Sequence, residues 1–186
     1  AVDLDVVLQC RVTNVTRAGS GWRLTGEEDR DLGAFDLLIL NAPAPQSTAL
    51  VSEFSEFANQ VGTVQIAPCW AVMLAFEEQL DVPWDGAFVG ESPLSWIARN
   101  SGKPGRPTEP DCWVLHASGE WSSQHLEDSH KSVTETLLAS FWDALDISRK
   151  RHILVSAHRW RFSLPTETLP RPFLFDRQLG LGACGD

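Results

Sequence analysis

Two residue types in this chain have the chemistry of a reactive site. The first is histidine. His116 closes the apolar run "CWVLH". An imidazole at a strand end can face a cavity, and it titrates near neutrality, so it can exchange a proton or hold a substrate by a hydrogen bond. The same placement also suits a structural histidine whose needs are met in the core. The second is tryptophan. Eight Trp and no Tyr suit a π-rich pocket, and Trp70, Trp96, Trp121 and Trp160 all lie on apolar segments. Core packing is the commoner fate of each taken singly. Arg159 and Arg161 flank Trp160, so strand alternation leaves at most one face of that segment for a cavity. Arg99 and Asn100 precede the loop "SGKPGRP". An anionic substrate tail would find a suitable guanidinium there. Lys103 and Arg106 add positive charge nearby, or belong to a solvated loop.

Other patterns carry less. "GLGACG" matches G-x-G-x-x-G, but that fingerprint needs a strand before it and a helix after it to present N–H groups to a pyrophosphate. The match falls at residues 180–185 of 186, with no following helix, and reads as a coincidence of letters. "GEEDRD" and "FEEQLD" look like exposed turns. There is no G-x-S-x-G and no evident Ser/His/Asp order. Cys10, Cys69, Cys112 and Cys184 are widely spaced with no C-x-x-C pair, so neither a zinc site nor a disulfide framework is indicated, and no metal is expected.

The net charge of −10 argues against nucleic acid or an anionic membrane as partner. No apolar run reaches the length of a membrane span. The start "AVDLDVVLQC" has no basic n-region and reads as the middle of a longer protein. Reduced thiols and the absence of a leader point to the cytoplasm.

Behind these residues the patterning predicts the following elements. Strands run from Asp5 to Leu40, the last of them Phe35–Leu40, in which Leu37, Leu38, Ile39 and Leu40 run without a polar break, expected to be buried on both faces of a parallel pairing. A helix follows around Leu50, Phe54 and Phe57, with Ser47 as N-cap. Four strand segments come next, "PCWAVMLAFEE", "GAFVG", "SPLSWIARN" and "CWVLHAS". "GEWSSQHLED" is a connector, with Trp121 packed and Ser122 or Ser123 and His125 bonding backbone groups. Val133, Leu137, Leu138, Phe141, Trp142 and Leu145 share one face of a helix over 129–145, with Asp128 as N-cap. "HILVSAHRWRFS" and "FLFDRQLGLGACGD" are the last strands. The fold class is α+β, a mostly antiparallel mixed sheet with packing helices.

Taken together, "FDLLILNAPAPQ", "SGEWSSQHLE", "AHRWRFSLP" and "LGACGD" resemble the renalase-like, FAD-dependent oxidoreductases of the flavin amine oxidase superfamily, the bacterial type in particular. The resemblance spans the chain in order. It implies partial FAD-domain strands in residues 1–45, a substrate-binding domain in 46–163, and a returning strand with a truncated FAD motif in 164–186. It implies that Arg11 and Val12 lie at the adenine end of FAD, and that Gly185 and Asp186 open the motif that meets the ribityl chain. It places His116 near the flavin and makes Trp160 a wall beside it, able to stack a nicotinamide-like ring against isoalloxazine. Trp70, Trp96, Arg99 and Asn100 then belong to the substrate site. The implied reaction oxidises a small reduced substrate, such as an isomeric dihydro form of NAD(P), with molecular oxygen as acceptor. An amine substrate, or a non-catalytic small-molecule-binding domain, are the alternatives. The family's nucleotide fingerprint precedes Ala1, so residues 1–186 alone are expected to hold FAD weakly and to be inactive.

Overall fold

The computed structural model describes residues 5–167 and 169–185. The chain divides into two compact units, Ala1–Ile66 with Pro165–Asp186, and Ala67–Leu164.

The first unit begins with an antiparallel meander, β1 (Val12–Ala18), β2 (Gly21–Gly26) and β3 (Asp31–Phe35). β4 (Leu38–Leu40) pairs in parallel with β11 (Leu181–Cys184), which forms a hairpin with β10 (Phe173–Asp176). Trp22 is fully buried, and its indole N–H donates to the carbonyls of Leu179 at 3.1 Å and Gly180 at 3.0 Å. Val51, Phe57, Val61 and Leu181 complete this core. The expected helix after β4 is two helices, α1 (Ala44–Leu50) and α2 (Ser55–Gly62). Ser47 is not the N-cap. It sits buried inside α1 and its hydroxyl donates to the carbonyl of Ala42 at 2.8 Å.

β4 also departs from expectation. Its parallel pairing is present, but Leu37 and Ile39 are about half exposed, at 49% and 51%, while Leu40 is buried. One face of this short sheet is covered and the other is not. The three glycines of "GLGACG" straddle β11. Gly180 closes the β10–β11 turn at φ +61°, where an added Cβ would lie 3.1 Å from the carbonyl oxygen of Asp36. Gly182 is inside the strand and Gly185 follows it. A strand-to-helix phosphate turn is therefore not what these glycines build.

The second unit is a five-stranded sheet in the order β6-β7-β8-β5-β9. Its strands are β5 (Gln65–Phe76), β6 (Gly86–Phe88), β7 (Leu94–Arg99), β8 (Asp111–Ala117) and β9 (His152–Glu167). The pairs β5/β8, β7/β8 and β6/β7 are antiparallel. Two helices accompany it, α3 (Gly119–Gln124) and α4 (His130–Leu145). Spacing by threes and fours gives α4 one apolar face of Val133, Leu137, Phe141, Trp142 and Leu145. That face packs on Trp70, Val72, Leu74, Phe76, Ile97, Trp113 and Leu115 of the sheet. Burying it supplies most of the helix's stability, because isolated helices of this length are marginal in water. The N-cap is Ser129, whose hydroxyl accepts from the Ser132 amide at 3.2 Å. Asp128 instead pairs with the imidazole of His125 at 2.8 Å.

Candidate functional site

The five-stranded sheet has one face covered by α4 and one open face, and strand parity decides which side chain goes where. On β8, Asp111, Trp113, Leu115 and Ala117 are buried, and Cys112, Val114 and His116 alternate with them toward the open face. His116 lies between Ala71 of β5 and Trp96 of β7 in the cross-strand register. The next row on this face is Met73, Val114 and Ala98. On β9, Ala157 packs against the covered core and the Arg159 guanidinium lies 5.4 Å over the Trp70 ring. Alternation therefore turns His158 and Trp160 to the open face. Their rings meet edge-to-face with centroids 4.4 Å apart.

Trp96 lies across Gly86, where an added Cβ would come within 2.8 Å of the indole ring. Phe88 tilts against Trp96 at 4.7 Å. Only a glycine lets the indole approach β6 so closely. The open face thus presents Phe88, Trp96, His116, Met73, His158 and Trp160, an apolar and aromatic surface with two imidazoles.

His116 is half-buried, and its ring has no hydrogen-bond partner among the described residues. Burial, and secondarily the positive charge of Lys103, hold its pKa below the ordinary imidazole value of 6.5. The neutral ring offers one donor and one acceptor nitrogen at physiological pH. Cys69 is pushed the other way: burial raises its thiol pKa, which keeps it protonated and a weak nucleophile.

The remaining expected site residues separate. Trp70 is fully buried on the covered face, with its indole N–H donating to the His125 carbonyl at 2.9 Å. It packs edge-on against His130 at 5.0 Å, and substrate does not reach it. Arg99, only 5% exposed, also points into the covered side. Its guanidinium donates to the carbonyls of Leu80 at 2.8 Å and Val82 at 3.2 Å, and its Nε lies 3.2 Å from Asp111. It braces a buried carboxylate rather than a substrate anion. Asn100 follows β7, and its backbone amide donates to the Cys112 carbonyl at 2.6 Å. Trp121 packs against the core and stacks on His125 at 4.2 Å, and Ser122 accepts from the Trp70 amide at 3.0 Å. His158 and Phe88 escape the sequence reading. His158 stands two residues before Trp160, so strand alternation already puts it on the same face. Phe88 has no such signal.

The residues present fit FAD in part. A flat aromatic face with little charge suits an isoalloxazine or a nicotinamide ring. Gly185 adopts φ +144°, a conformation that other residues rarely take. Arg11 is exposed, 4.0 Å from Glu27, and Val12 opens β1 opposite Gly26. Asp186 lies outside the described residues. No glycine turn leading into a helix, the usual pyrophosphate cradle, occurs among the described residues.

No protein-family model matches the chain. Solved structures do match. A protein assigned as a protoporphyrinogen oxidase from Exiguobacterium sp. 255-15 aligns over 95% of this chain with a TM-score of 0.72 and 15% identity. Cyclohexylamine oxidase from Brevibacterium oxydans IH-35A aligns over 94% at 0.67 and 10%. An oxidoreductase from Methanosarcina mazei aligns over 95% at 0.66 and 17%. The chain spans 41%, 42% and 43% of these three proteins, respectively. At such identities the likeness concerns the fold alone: the α+β chain shares the fold of a part of each of these proteins.

Proposed function

We propose that this chain is part of an FAD-dependent oxidoreductase, in which the open face of the five-stranded sheet roofs the flavin and the substrate. The observation that carries this reading is the gathering of Trp96, His116 and Trp160 on one face, opposite the helix-covered core. The fold shared with the oxidases and the oxidoreductase above supports it. FAD, when bound, supplies a hydride acceptor whose electrons pass on to oxygen.

The chain's own residues bind, orient and exclude water. Trp160, 53% exposed, offers its face to a flat ring. His158, edge-on to it, limits its rotation. Trp96 and Phe88 form an apolar border that keeps water from the reacting faces. His116, held neutral, donates or accepts one hydrogen bond to a polar substituent of the substrate. A dihydropyridine donor needs no general base, so an isomeric dihydro-NAD(P) fits this set of groups. The second reading is an amine substrate, favoured by the name of the cyclohexylamine oxidase. In that case neutral His116 accepts a hydrogen bond from the amine.

The test uses the flavin-loaded protein that contains residues 1–186. Its flavin is mixed anaerobically with dihydro-NAD(P) isomers or with amines, and bleaching is followed by stopped flow. Trp160→Ala should slow reduction at unchanged flavin content. Reduction by amines alone would replace the nucleotide reading with the amine reading. A colourless protein, or full-rate reduction in the Trp160 variant, would overturn the site.

A further inference from the structure

Residues 149–152 read Arg-Lys-Arg-His, and Arg149–Arg151 is the longest run of Lys and Arg in a chain with 25 acidic and 15 basic residues. Elsewhere some arginines take carboxylate partners, though Arg17, Arg30, Arg106, Arg171 and Arg177 have none among the described residues. Arg23 pairs with Asp31 at 2.6 Å, Arg159 with Glu127 at 2.9 Å and Arg161 with Glu127 at 2.7 Å. Arg149, Lys150, Arg151 and His152 have no ion pair or side-chain hydrogen bond among the described residues. Adjacent like charges without counter-charges repel one another, so an acidic chain gains nothing in stability from leaving them together.

These four residues share one concavity. It has a volume of about 740 Å³, and its other lining residues are Glu135, Leu138, Ala139 and Trp142 of α4. The irregular segment between α4 and β9 thus lines the concavity with cations, and α4 lines it with apolar side chains and Glu135. The concavity is open to solvent, and it combines the apolar and polar groups that small-molecule sites use. Glu135 is the acidic member, and Lys131 lies 4.0 Å from it. It disfavours phosphate at its own end of the groove and so gives a ligand a direction.

We infer that this groove binds a nucleoside di- or triphosphate. Phosphates lie along Arg149, Lys150 and Arg151, where planar guanidinium groups bind phosphate oxygens in pairs. The base lies over Leu138, Ala139 and Trp142, and an exocyclic amine points to Glu135. This site is on the α4 side of the second unit, and it does not depend on the oxidoreductase reading of the open face.

The test is calorimetric titration of residues 1–186 with ADP and, separately, with inorganic pyrophosphate. ADP should bind saturably and more tightly than pyrophosphate, with an affinity that falls as salt rises. The triple variant Arg149→Glu, Lys150→Glu, Arg151→Glu should weaken ADP at least about tenfold. On the unaltered chain, ADP should shift the NMR signals of the Trp142 indole and the His152 ring. Three results would each overturn the site: no saturable binding of ADP, ADP and pyrophosphate of equal affinity, or ADP binding unchanged in the triple variant. The last would place the nucleotide elsewhere on the chain. Should the variant lose its circular dichroism signature, the indole and imidazole shifts decide, and their absence overturns the site.

Discussion

The two faces of the five-stranded sheet are built from similar residues and have opposite fates. Each carries tryptophan and aliphatic side chains. On the covered face Trp70 and Trp113 are sealed beneath α4, and their polar neighbours are tied to partners. Asp111 shows this best. Its oxygens accept from the Leu80 amide at 2.9 Å, the Trp113 indole at 2.9 Å and the Ser101 hydroxyl at 2.9 Å, and Arg99 lies against it at 3.2 Å. On the open face the His116 ring has no partner among the described residues and Trp160 is half exposed. A residue that is fully satisfied inside the fold has no valence left for a ligand. One that is shaped, desolvated and unsatisfied does. Residue type does not distinguish these two conditions. The presence of a helix over one face does.

The largest expected break in this contrast is Asp111→Ala. It leaves the buried Arg99 guanidinium with only the exposed Asp85 carboxylate, at 3.3 Å, as counter-charge and removes an acceptor from three donors. The cost is about 5 kcal/mol, read as a drop in the urea midpoint or as failure to fold. A destabilisation below about 1 kcal/mol would show that the Arg99–Asp111 pair is solvated, and that the covered face is less closed than its geometry indicates.

A matched pair of tryptophans sharpens the same contrast. Trp70→Ala should cost about 3–5 kcal/mol through the cavity it leaves under Arg159 and His130. Trp160→Ala should cost no more than about 0.5 kcal/mol in the same melt. Equal costs would mean that the open face is packed in solution, and that Trp160 is a core residue.

Much of this division is legible in the residues, and the illegible part has identifiable causes. Strand parity along "DCWVLHA" puts His116 and Trp113 on opposite faces, although the run is apolar at both parities. The apolar face of α4 is equally plain. "PCWAVMLAF" is apolar at both parities, so nothing local says that Trp70 and not Met73 meets the helix. That choice depends on which side α4 docks, a property of the connection. Arg99 departs from its expected role for a related reason. A guanidinium beside a loop invites an external anion, and its true partner, Asp111, is twelve residues away across a hairpin. The break between α1 and α2 is hidden because Phe54 keeps helical spacing while its ring is claimed by Trp22, edge-on at 5.0 Å. The α4 cap falls one residue later than expected because Asp128 is held by His125. In each case a partner elsewhere in the fold overrides a local preference.

The protonation of His116 gives a smaller, graded test. Its pKa is lowered in the folded state, so between that value and the ordinary 6.5 the unfolded chain binds a proton that the folded chain does not. Stability is therefore complete above 6.5 and falls as pH drops through this window. His116→Gln should flatten that part of the stability–pH curve while leaving the rest in place. If the slope survives in the variant, another group is responsible and His116 is not desolvated as its position requires.

The smallest effect separates the two causes of that shift. Burial is the larger and belongs to the open face itself, to Trp96 and the sheet around the ring. Lys103 contributes the smaller part, from the loop between β7 and β8. Lys103→Ala should raise the His116 pKa slightly, observed by NMR titration of the imidazole carbon-bound protons, and leave it below 6.5. A full return to the ordinary value would make the loop, and not the sheet, the source of the perturbation. His116 would then be a solvated group near a cation. An unchanged value would remove Lys103 from the site and leave desolvation alone to keep the imidazole neutral. Only the expected partial shift supports both elements: a sheet face that desolvates the imidazole and a loop that holds a positive charge near it.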